Sequence, residues 1–166
     1  KYNPEIYPQG SFRLGTVIKP LTGKDEYDID LVCLLESTCQ EHTQKQIKEM
    51  VGDRLRANKT YEDMLEEEGR RCWTLTYAES TKFHMDILPS IPDEYQWSFH
   101  KEIPSLLTKK AILITDNKHP HYELRSKDWA KSNPKGYSEW FKEQMKVILN
   151  ERKKLFAEQR QVSIEQ

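Results

Sequence analysis

Residues 27–35 read YDIDLVCLL, and a Gly-Ser pair precedes them at Gly10 and Ser11. The apolar run predicts a β-strand, and because side chains alternate along a strand, Asp28 and Asp30 share one face while the core lies behind the other. Same-face neighbours are roughly 6.5–7 Å apart at Cα, so both carboxylates can reach one or two divalent ions. Oxygen ligands of this kind favour Mg²⁺ or Mn²⁺.

The Gly-Ser pair is suited to binding phosphate. Gly10 lets the main chain approach a phosphate closely, and the amide and hydroxyl of Ser11 can donate hydrogen bonds to its oxygens. The G-x-x-x-x-G-K-[ST] spacing of a Walker A loop is missing, so the pair is not a P-loop. Arg13 could reach the same phosphates, although its sequence context favours a surface position.

A third carboxylate, Asp86, lies in the strand-like run KFHMDILP at residues 82–89. It is surrounded by apolar residues, where an unpaired charge is costly. Two explanations remain open at this stage. Asp86 either shares a metal with Asp28 and Asp30, or forms a buried salt bridge with Arg70 or Arg71.

These motifs resemble a known group of enzymes. A Gly-Ser pair, an Asp-x-Asp strand and a further Asp on a neighbouring strand resemble the polymerase-beta-like nucleotidyltransferase superfamily. The runs 10–20 and 25–32, with DWAKSNPKGY at 128–137, resemble its cGAS/DncV-like bacterial branch, which acts in anti-phage (CBASS) signalling. The resemblance covers most of residues 5–141, and a loop at 19–24 lengthens the usual span between Ser11 and the first Asp.

The resemblance implies an enzyme that joins NTPs, ATP among them, into a cyclic di- or trinucleotide with release of pyrophosphate. Two Mg²⁺ or Mn²⁺ ions would be held by Asp28, Asp30 and Asp86, which would be the catalytic residues. Such an enzyme needs no stably bound nucleic acid. Its product, rather than the protein itself, binds the downstream effector. Whether a protein activator is required is left open. The nucleotide-binding candidates are Gly10, Ser11, Arg13 and Tyr137.

Tyr137 belongs to an aromatic cluster that includes Trp129, Trp140 and Phe141 and is interleaved with lysines. Two uses of this cluster remain open. One is stacking on a nucleobase, and the other is packing between the sheet and a helical layer.

Three other functions remain as alternatives. The first is a nucleotidyltransferase that adds one nucleotide to RNA, a small molecule or a protein. The second is a non-catalytic nucleotide- or RNA-binding module, which the presence of all three acids disfavours. The third is a structural interaction domain, for which the amphipathic stretch near the end of the chain would be suited.

Composition narrows the class of protein. The chain has 166 residues, about one domain, and a net charge of −1 that indicates neither nucleic acid nor a membrane as a partner. Three cysteines without C-x-x-C spacing indicate neither a disulfide framework nor a zinc site, and no apolar run approaches the roughly 18 residues of a spanning helix. We therefore expect a cytoplasmic protein. His119 and His121 form an H-x-H pair, but no third ligand stands beside them in the sequence, which disfavours a metal role.

The expected fold is α/β (α+β): a small, mostly antiparallel or mixed sheet backed by helices, with the nucleotidyltransferase fold implied by the resemblance. Residues 1–141 are expected to form a palm-like catalytic domain and residues 142–166 a helix leading into a helical lobe that this chain represents only in part. Apolar spacing predicts helices at 37–58, capped by Ser37 or Thr38, and at 138–159. A hairpin is predicted from 71–78 through 79–81 into the Asp86 strand, and the start without Met suggests a fragment.

Overall fold

The computed structural model describes residues 3–18, 27–77, 83–94 and 110–164. The described strands are β1 (Glu5–Pro8), β2 (Tyr27–Leu34), β3 (Trp73–Thr76), β4 (Phe83–Pro92), β5 (Ile112–Ile114) and β6 (Ala130–Ser132). The described helices are α1 (Gly10–Leu14), α2 (Gln44–Arg56), α3 (Lys59–Glu62) and α4 (Pro134–Ile164). None of them combines the length and apolar character that crossing a membrane requires.

All six strands join one mixed sheet, as predicted for this fold class. Strands β2 and β4 run parallel at its centre, and β1 pairs antiparallel with the outer edge of β2. The other edge of β4 has two partners, because β3 pairs with its first half and β5 with its second half. Strand β6 extends the sheet beyond β5. The predicted hairpin pairing of β3 with β4 is confirmed, while its connecting residues 79–81 lie outside the described residues.

The main core lies between helix α2 and one face of the sheet. Odd-numbered residues of the central strands point to this face, as the alternation along a strand requires. The buried members of this core are Cys33, Leu35, Cys39, Ile47, Val51, Leu55, Trp73, Leu75, Ile87, Ile91, Leu113 and Trp129. A smaller apolar cluster, which includes Val32 and Leu88, lies on the opposite, even-numbered face. The three predicted catalytic acids are even-numbered and therefore face away from α2.

Helix α2 begins later than the sequence pattern suggested. Its N-cap is Thr43, whose hydroxyl accepts from the Gln46 amide while the Gln46 side chain accepts from the Thr43 amide, a reciprocal capping box. The predicted caps, Ser37 and Thr38, instead bond to side chains of the preceding turn, including Glu41. The predicted start was wrong because this stretch offers more than one capping pair. Thr38 and Glu41 make the same reciprocal bonds in the preceding turn, but the helix begins only after Thr43.

The last helix, α4, begins at Pro134, four residues before the predicted start. The side chain of Asn133 accepts a hydrogen bond from the Gly136 amide at 2.8 Å, which is N-cap geometry, and Pro134 occupies the first helical position. The domain boundary predicted at residue 141 falls inside this helix, and the division of the chain into two domains stays a prediction.

Candidate active site

Three carboxylates meet on the face of the sheet opposite α2. In the parallel pairing of β2 with β4, Asp30 lies directly across from Asp86, and Asp28 lies across from His84. Asp28 is exposed, whereas Asp30 and Asp86 are half-buried. The parallel register therefore brings together two acids that are 56 positions apart in the sequence.

These acids form an electrostatically unbalanced group. Burial, followed by the negative charges of Asp86 and then Asp28, raises the pKa of Asp30 above its ordinary value. In the described part of the chain no ion pair includes any of the three acids. The nearby cations Arg70 and Arg71 pair with Asp116 instead. The three carboxylates repel one another, and no cation among the described residues balances their charge. Three oxygen ligands in this situation fit a divalent ion of the Mg²⁺ class.

Gly10 lies against the central acid. Directly after β1, the Gln9 amide donates a hydrogen bond to the Asp30 carbonyl oxygen at 2.8 Å. Gly10 then has a positive φ of 59°, and a Cβ at this position would lie 2.3 Å from Asp30 Oδ2. Only glycine satisfies both conditions without displacing the carboxylate. Ser11 follows as an exposed residue of α1, so the predicted phosphate-binding pair stands directly beside the acids.

A cavity of about 230 Å³ lies beside Gly10, and two more of the predicted nucleotide-binding residues line it, Arg13 and Tyr137. The Nε atom of Arg13 is buried and has no hydrogen-bond partner among the described residues, while its Nη1 atom donates to the Pro8 carbonyl oxygen at 3.4 Å. The Tyr137 ring is about half exposed. Three of the four nucleotide-binding candidates thus surround one cavity, although they are up to 127 positions apart.

Several residues that line this cavity were not predicted from the sequence. Its remaining lining comes from residues on either side, Gln9, Leu14, Ser132, Asn133 and Pro134. Residues 132–134 belong to the family-like motif at 128–137, to which the sequence pattern assigned no binding role. The signal that identifies it is the Asn-Pro pair, because an N-cap followed by proline at the first helical position brings the start of α4 to this cavity.

Contacts with β1 hold the start of α4 in place. The Lys135 ammonium forms an ion pair with Glu5 and lies 4.2 Å from the centroid of the Tyr7 ring. Tyr7 is buried, and this burial is the main cause that raises its pKa to about 12. Since β1 leads directly into Gly10, these contacts couple Tyr137 on α4 to the Gly-Ser pair.

Asp86 is oriented by a neighbour that the sequence did not reveal. Thr74 on β3 lies directly across from Asp86, and its hydroxyl donates to Asp86 Oδ1 at 2.6 Å. Such a charge-assisted hydrogen bond limits rotation of the carboxylate and leaves Oδ2 for another ligand. Thr74 is therefore a positioning residue, which only the β3–β4 register makes visible.

Replacing Thr74 by valine is expected to lower kcat by roughly 10–100-fold, because a hydrogen bond to a charged group contributes about 1.5–3 kcal/mol. Valine keeps the shape, so the melting temperature should stay close to that of the wild type. Thr74→Ser retains the hydroxyl and is expected to recover most of kcat. Steady-state kinetics of all three proteins tests the assignment, and a serine variant as slow as the valine variant would contradict it.

Arg70 and Arg71, the alternative partners considered for Asp86, pair with a different acid. Arg70 makes a bidentate contact with Asp116, its Nε and Nη2 atoms each 2.8 Å from a carboxylate oxygen. Arg71 Nε lies 3.5 Å from Asp116 Oδ2. The Asp116 side chain is 5% exposed. The salt-bridge explanation for Asp86 is therefore not what the structure shows, and Asp86 remains available to a metal.

The Asp116 pair makes stability depend on pH. Its hydrogen bonds with Arg70 are the main cause that lowers the pKa of Asp116 to about 2, below the ordinary value near 4. A lowered carboxyl pKa contributes stability above the ordinary value and loses it as the pH falls towards the folded-state pKa. We expect Asp116→Asn to reduce the free energy of unfolding by about 2 kcal/mol at pH 7. That difference should shrink as the pH falls from about 4 to about 2.

Urea unfolding at several pH values measures this difference. Asp53→Asn is the matched control, because Asp53 forms an exposed pair with Arg56 on α2 and should contribute little. An Asp116→Asn deficit that stays constant from pH 7 to pH 2.5 would contradict the assignment of the ion pair.

A cavity on the other side of the sheet is larger than the one beside Gly10. It measures about 570 Å³, and Cys33, Met50 and Leu55 are among its mainly apolar lining residues. Its lining contains no carboxylate. This cavity therefore lacks the carboxylate ligands that an ion of the Mg²⁺ class requires.

A second polar cleft, of about 340 Å³, adjoins Asp86 on the side away from Gly10. It is lined by Gly69, Arg70, Arg71, Cys72, Thr74 and Asp86. Burial, together with the charges of Asp86 and Asp30, raises the pKa of the Cys72 thiol to about 11, so this thiol stays protonated at neutral pH. The acids thus stand between two clefts, an arrangement that can hold two reacting groups on either side of a metal site.

The nucleotidyltransferase-domain model of cyclic GMP-AMP synthase DncV-like proteins matches residues 4–89. The chain belongs to this family. The matched residues contain all three acids, the Gly-Ser pair and Arg13, whereas Tyr137 lies beyond them.

Individual relatives agree with this assignment. A c-di-GMP synthase of Roseivirga ehrenbergii is 35% identical over 137 residues, which are 82% of this chain and 31% of the relative. The apo form of Vibrio cholerae DncV superposes with a TM-score of 0.62 at 18% identity, over 86% of this chain and 34% of DncV. The Bradyrhizobium diazoefficiens CD-NTase CdnG, solved with GTP, superposes with a TM-score of 0.55 at 24% identity, over 81% of this chain and 32% of CdnG.

The structural matches show that the fold is shared with the DncV-like nucleotidyltransferases. The chain spans about a third of the length of these relatives. The resemblance stated from the sequence is thus confirmed at the level of family and fold.

Proposed function

We propose that the full-length protein joins nucleoside triphosphates into a cyclic di- or trinucleotide and releases pyrophosphate. The observation that carries this proposal is the contact of Gly10 with Asp30, opposite Asp86, because it places phosphate-binding backbone beside three convergent carboxylates. Family membership supports the reaction class. The relative from Roseivirga ehrenbergii is named a c-di-GMP synthase, which makes GTP a candidate substrate beside ATP.

For a cyclic dinucleotide the reaction consists of two similar transfers, and a cyclic trinucleotide requires one more before the ring closes. A ribose hydroxyl oxygen of one nucleotide forms a bond to the α-phosphorus of another, and the bond from that phosphorus to the bridging oxygen of the β-phosphate breaks. Pyrophosphate leaves with the electron pair, and the hydroxyl proton passes to solvent. A second transfer within the linear intermediate closes the ring.

The residues of this chain have distinct proposed roles in each transfer. The amide and hydroxyl of Ser11, beside Gly10, donate to the outgoing phosphates, and the positive charge of Arg13, which lines the adjoining cavity, offsets their charge. Tyr137 stacks on a base in the adjoining cavity. Thr74 holds Asp86 in the orientation that the site requires.

Asp28, Asp30 and Asp86 fit two divalent ions of the Mg²⁺ or Mn²⁺ class. Bound there, such ions would lower the pKa of the attacking hydroxyl and balance the charge that develops on the α-phosphate. The raised pKa of Asp30 and the absence of these three acids from the described ion pairs support this assignment. An anti-phage signalling role in the cytoplasm is part of the same proposal and rests on the family.

Product analysis tests the proposal. The full-length protein is incubated with each α-labelled NTP and with their mixture in Mg²⁺ or Mn²⁺, the products are treated with phosphatase, and resistant species are identified by mass. The expected result is a phosphatase-resistant cyclic product that Asp28→Asn/Asp30→Asn no longer makes. A product limited to single-nucleotide addition would favour a different acceptor, and equal behaviour of the two proteins would contradict catalysis at these acids.

A further inference from the structure

A group of two imidazoles and one carboxylate lies in the connection between β5 and β6, outside the candidate active site. His119, His121 and Asp128 each offer one ligand atom, and these atoms all lie within 4.8 Å of one another. The sequence alone disfavoured a metal role for the two histidines because no third ligand stood beside them. The structure supplies that ligand by folding Asp128 back onto them.

Local hydrogen bonds produce this arrangement. The turn begins where the His119 amide donates to the Asp116 carbonyl oxygen at 3.0 Å. At the other end the Asp128 amide donates to Ser126 Oγ at 3.0 Å, and the next residue, Trp129, is buried in the main core. Both ends of the segment are therefore anchored, and the fold brings the three residues together.

The spacing of the ligand atoms suits a tetrahedral transition metal. Zinc bonds of about 2.0–2.2 Å at tetrahedral angles place neighbouring ligand atoms about 3.3–3.5 Å apart. Here Asp128 Oδ2 lies 3.2 Å from His121 Nδ1 and 3.8 Å from His119 Nε2. Two of the three spacings are thus close to those of a tetrahedral site, and the two histidine ligand atoms lie within 4.8 Å of each other.

We propose that His119, His121 and Asp128 bind one zinc-class ion that clips the connection between β5 and β6. Nitrogen ligands favour this class over Mg²⁺, so the site differs in chemistry from the three-carboxylate site. Three protein ligands leave a fourth position for water. The clipped segment also contacts α2, since the Lys45 amide donates to the Tyr122 carbonyl oxygen at 3.1 Å. Bound metal therefore stabilises the packing of this connection.

One feature of the metal-free structure limits the affinity. The His121 amide donates to His119 Nδ1 at 3.1 Å, which places the proton of the neutral His119 ring on Nε2, the atom directed at Asp128. Ligation through Nε2 requires this proton to move to Nδ1, and the hydrogen bond from the His121 amide is then lost. Losing such a hydrogen bond weakens zinc binding about fivefold.

Zinc titration of the full-length protein, stripped of metal and in the Asp28→Asn/Asp30→Asn background, tests this site apart from the candidate active site. Calorimetry with ZnCl₂ is expected to give one ion per chain, and Co²⁺ is expected to give the visible absorption of a tetrahedral site. Zinc should also raise the melting temperature. Because two of the three acids of the candidate active site are replaced in this background, the result does not depend on the proposed nucleotidyl transfer.

Two exposed ligands provide variants that should fold normally, His121→Gln and Asp128→Asn. Each is expected to weaken zinc binding by about tenfold or more, which is at least about 1.4 kcal/mol. His42→Gln is the matched control, because His42 lies in the turn before α2 and contacts Ser37 instead. Absence of saturable zinc binding, or binding that both ligand variants leave unchanged, would overturn the proposal.

Discussion

Gly10→Ala is expected to reduce nucleotide transfer by at least about 100-fold in the full-length protein. An alanine Cβ at this position would lie 2.3 Å from Asp30 Oδ2, a distance that no two such atoms tolerate. The carboxylate is the end of a side chain, so it would relieve the clash by rotating away. Rotation removes the oxygen from the site shared with Asp86, and misplacement of about 1 Å is enough to cost roughly 100-fold in rate.

Gly15→Ala is a closely matched control. Gly15 also has a positive φ, 70°, and therefore carries the same backbone strain on substitution, yet its added Cβ would meet no heavy atom within 4 Å. Both variants should lose about 1–2 kcal/mol of stability from this strain. Only Gly10→Ala should lose activity beyond that. Equal activity of the two variants, measured at a temperature where both are folded, would contradict the contact with Asp30.

Asp30→Asn is expected to reduce the rate of product formation by about 1,000-fold or more, since the loss of a central ligand removes several kcal/mol of transition-state stabilisation. Its effect on folding should have the opposite sign. Burial and the charges of Asp86 and Asp28 already raise the pKa of Asp30, so the charged form is disfavoured in the metal-free protein. A neutral amide removes this repulsion, and the metal-free variant should unfold at the same or a higher temperature.

Melting curves of the wild type and of Asp30→Asn, with and without Mg²⁺ and ATP, test the expected effect on stability. The wild type should gain stability from the ion and nucleotide together, whereas Asp30→Asn should gain little. Asp53→Asn makes the same chemical change on α2, where Asp53 is exposed, and should behave as the wild type does. A metal-free Asp30→Asn protein that is markedly less stable would indicate that Asp30 has a structural partner instead.

The sequence alone was sufficient to predict the class of fold and the group of acids. Alternation along two apolar runs placed Asp28 and Asp30 on one face and Asp86 on another strand, and the structure shows these strands paired in parallel. The pattern succeeds because strand periodicity is local. It cannot give the register between strands, so the position of Asp30 directly across from Asp86 required the structure.

The elements missed by the sequence depend on contacts between distant segments. Thr74 became significant only because β3 pairs with β4, and Asp128 only because the chain turns back on His119 and His121. The predicted starts of α2 and α4 were wrong for a different reason; the observed caps are Thr43 and Asn133. Several nearby residues had capping side chains, and the geometry that selects one of them is three-dimensional.

Asp28, Asp30 and Asp86 are proposed to hold divalent ions together with a nucleoside triphosphate. The most direct measurement is titration of the full-length protein with Mn²⁺, followed by electron paramagnetic resonance, with and without a non-hydrolysable ATP analogue. We predict two Mn²⁺ ions per chain that bind only when the nucleotide is present and are lost in Asp28→Asn/Asp30→Asn. Nucleotide-dependent Mn²⁺ binding that is the same in both proteins would contradict the assignment of these carboxylates.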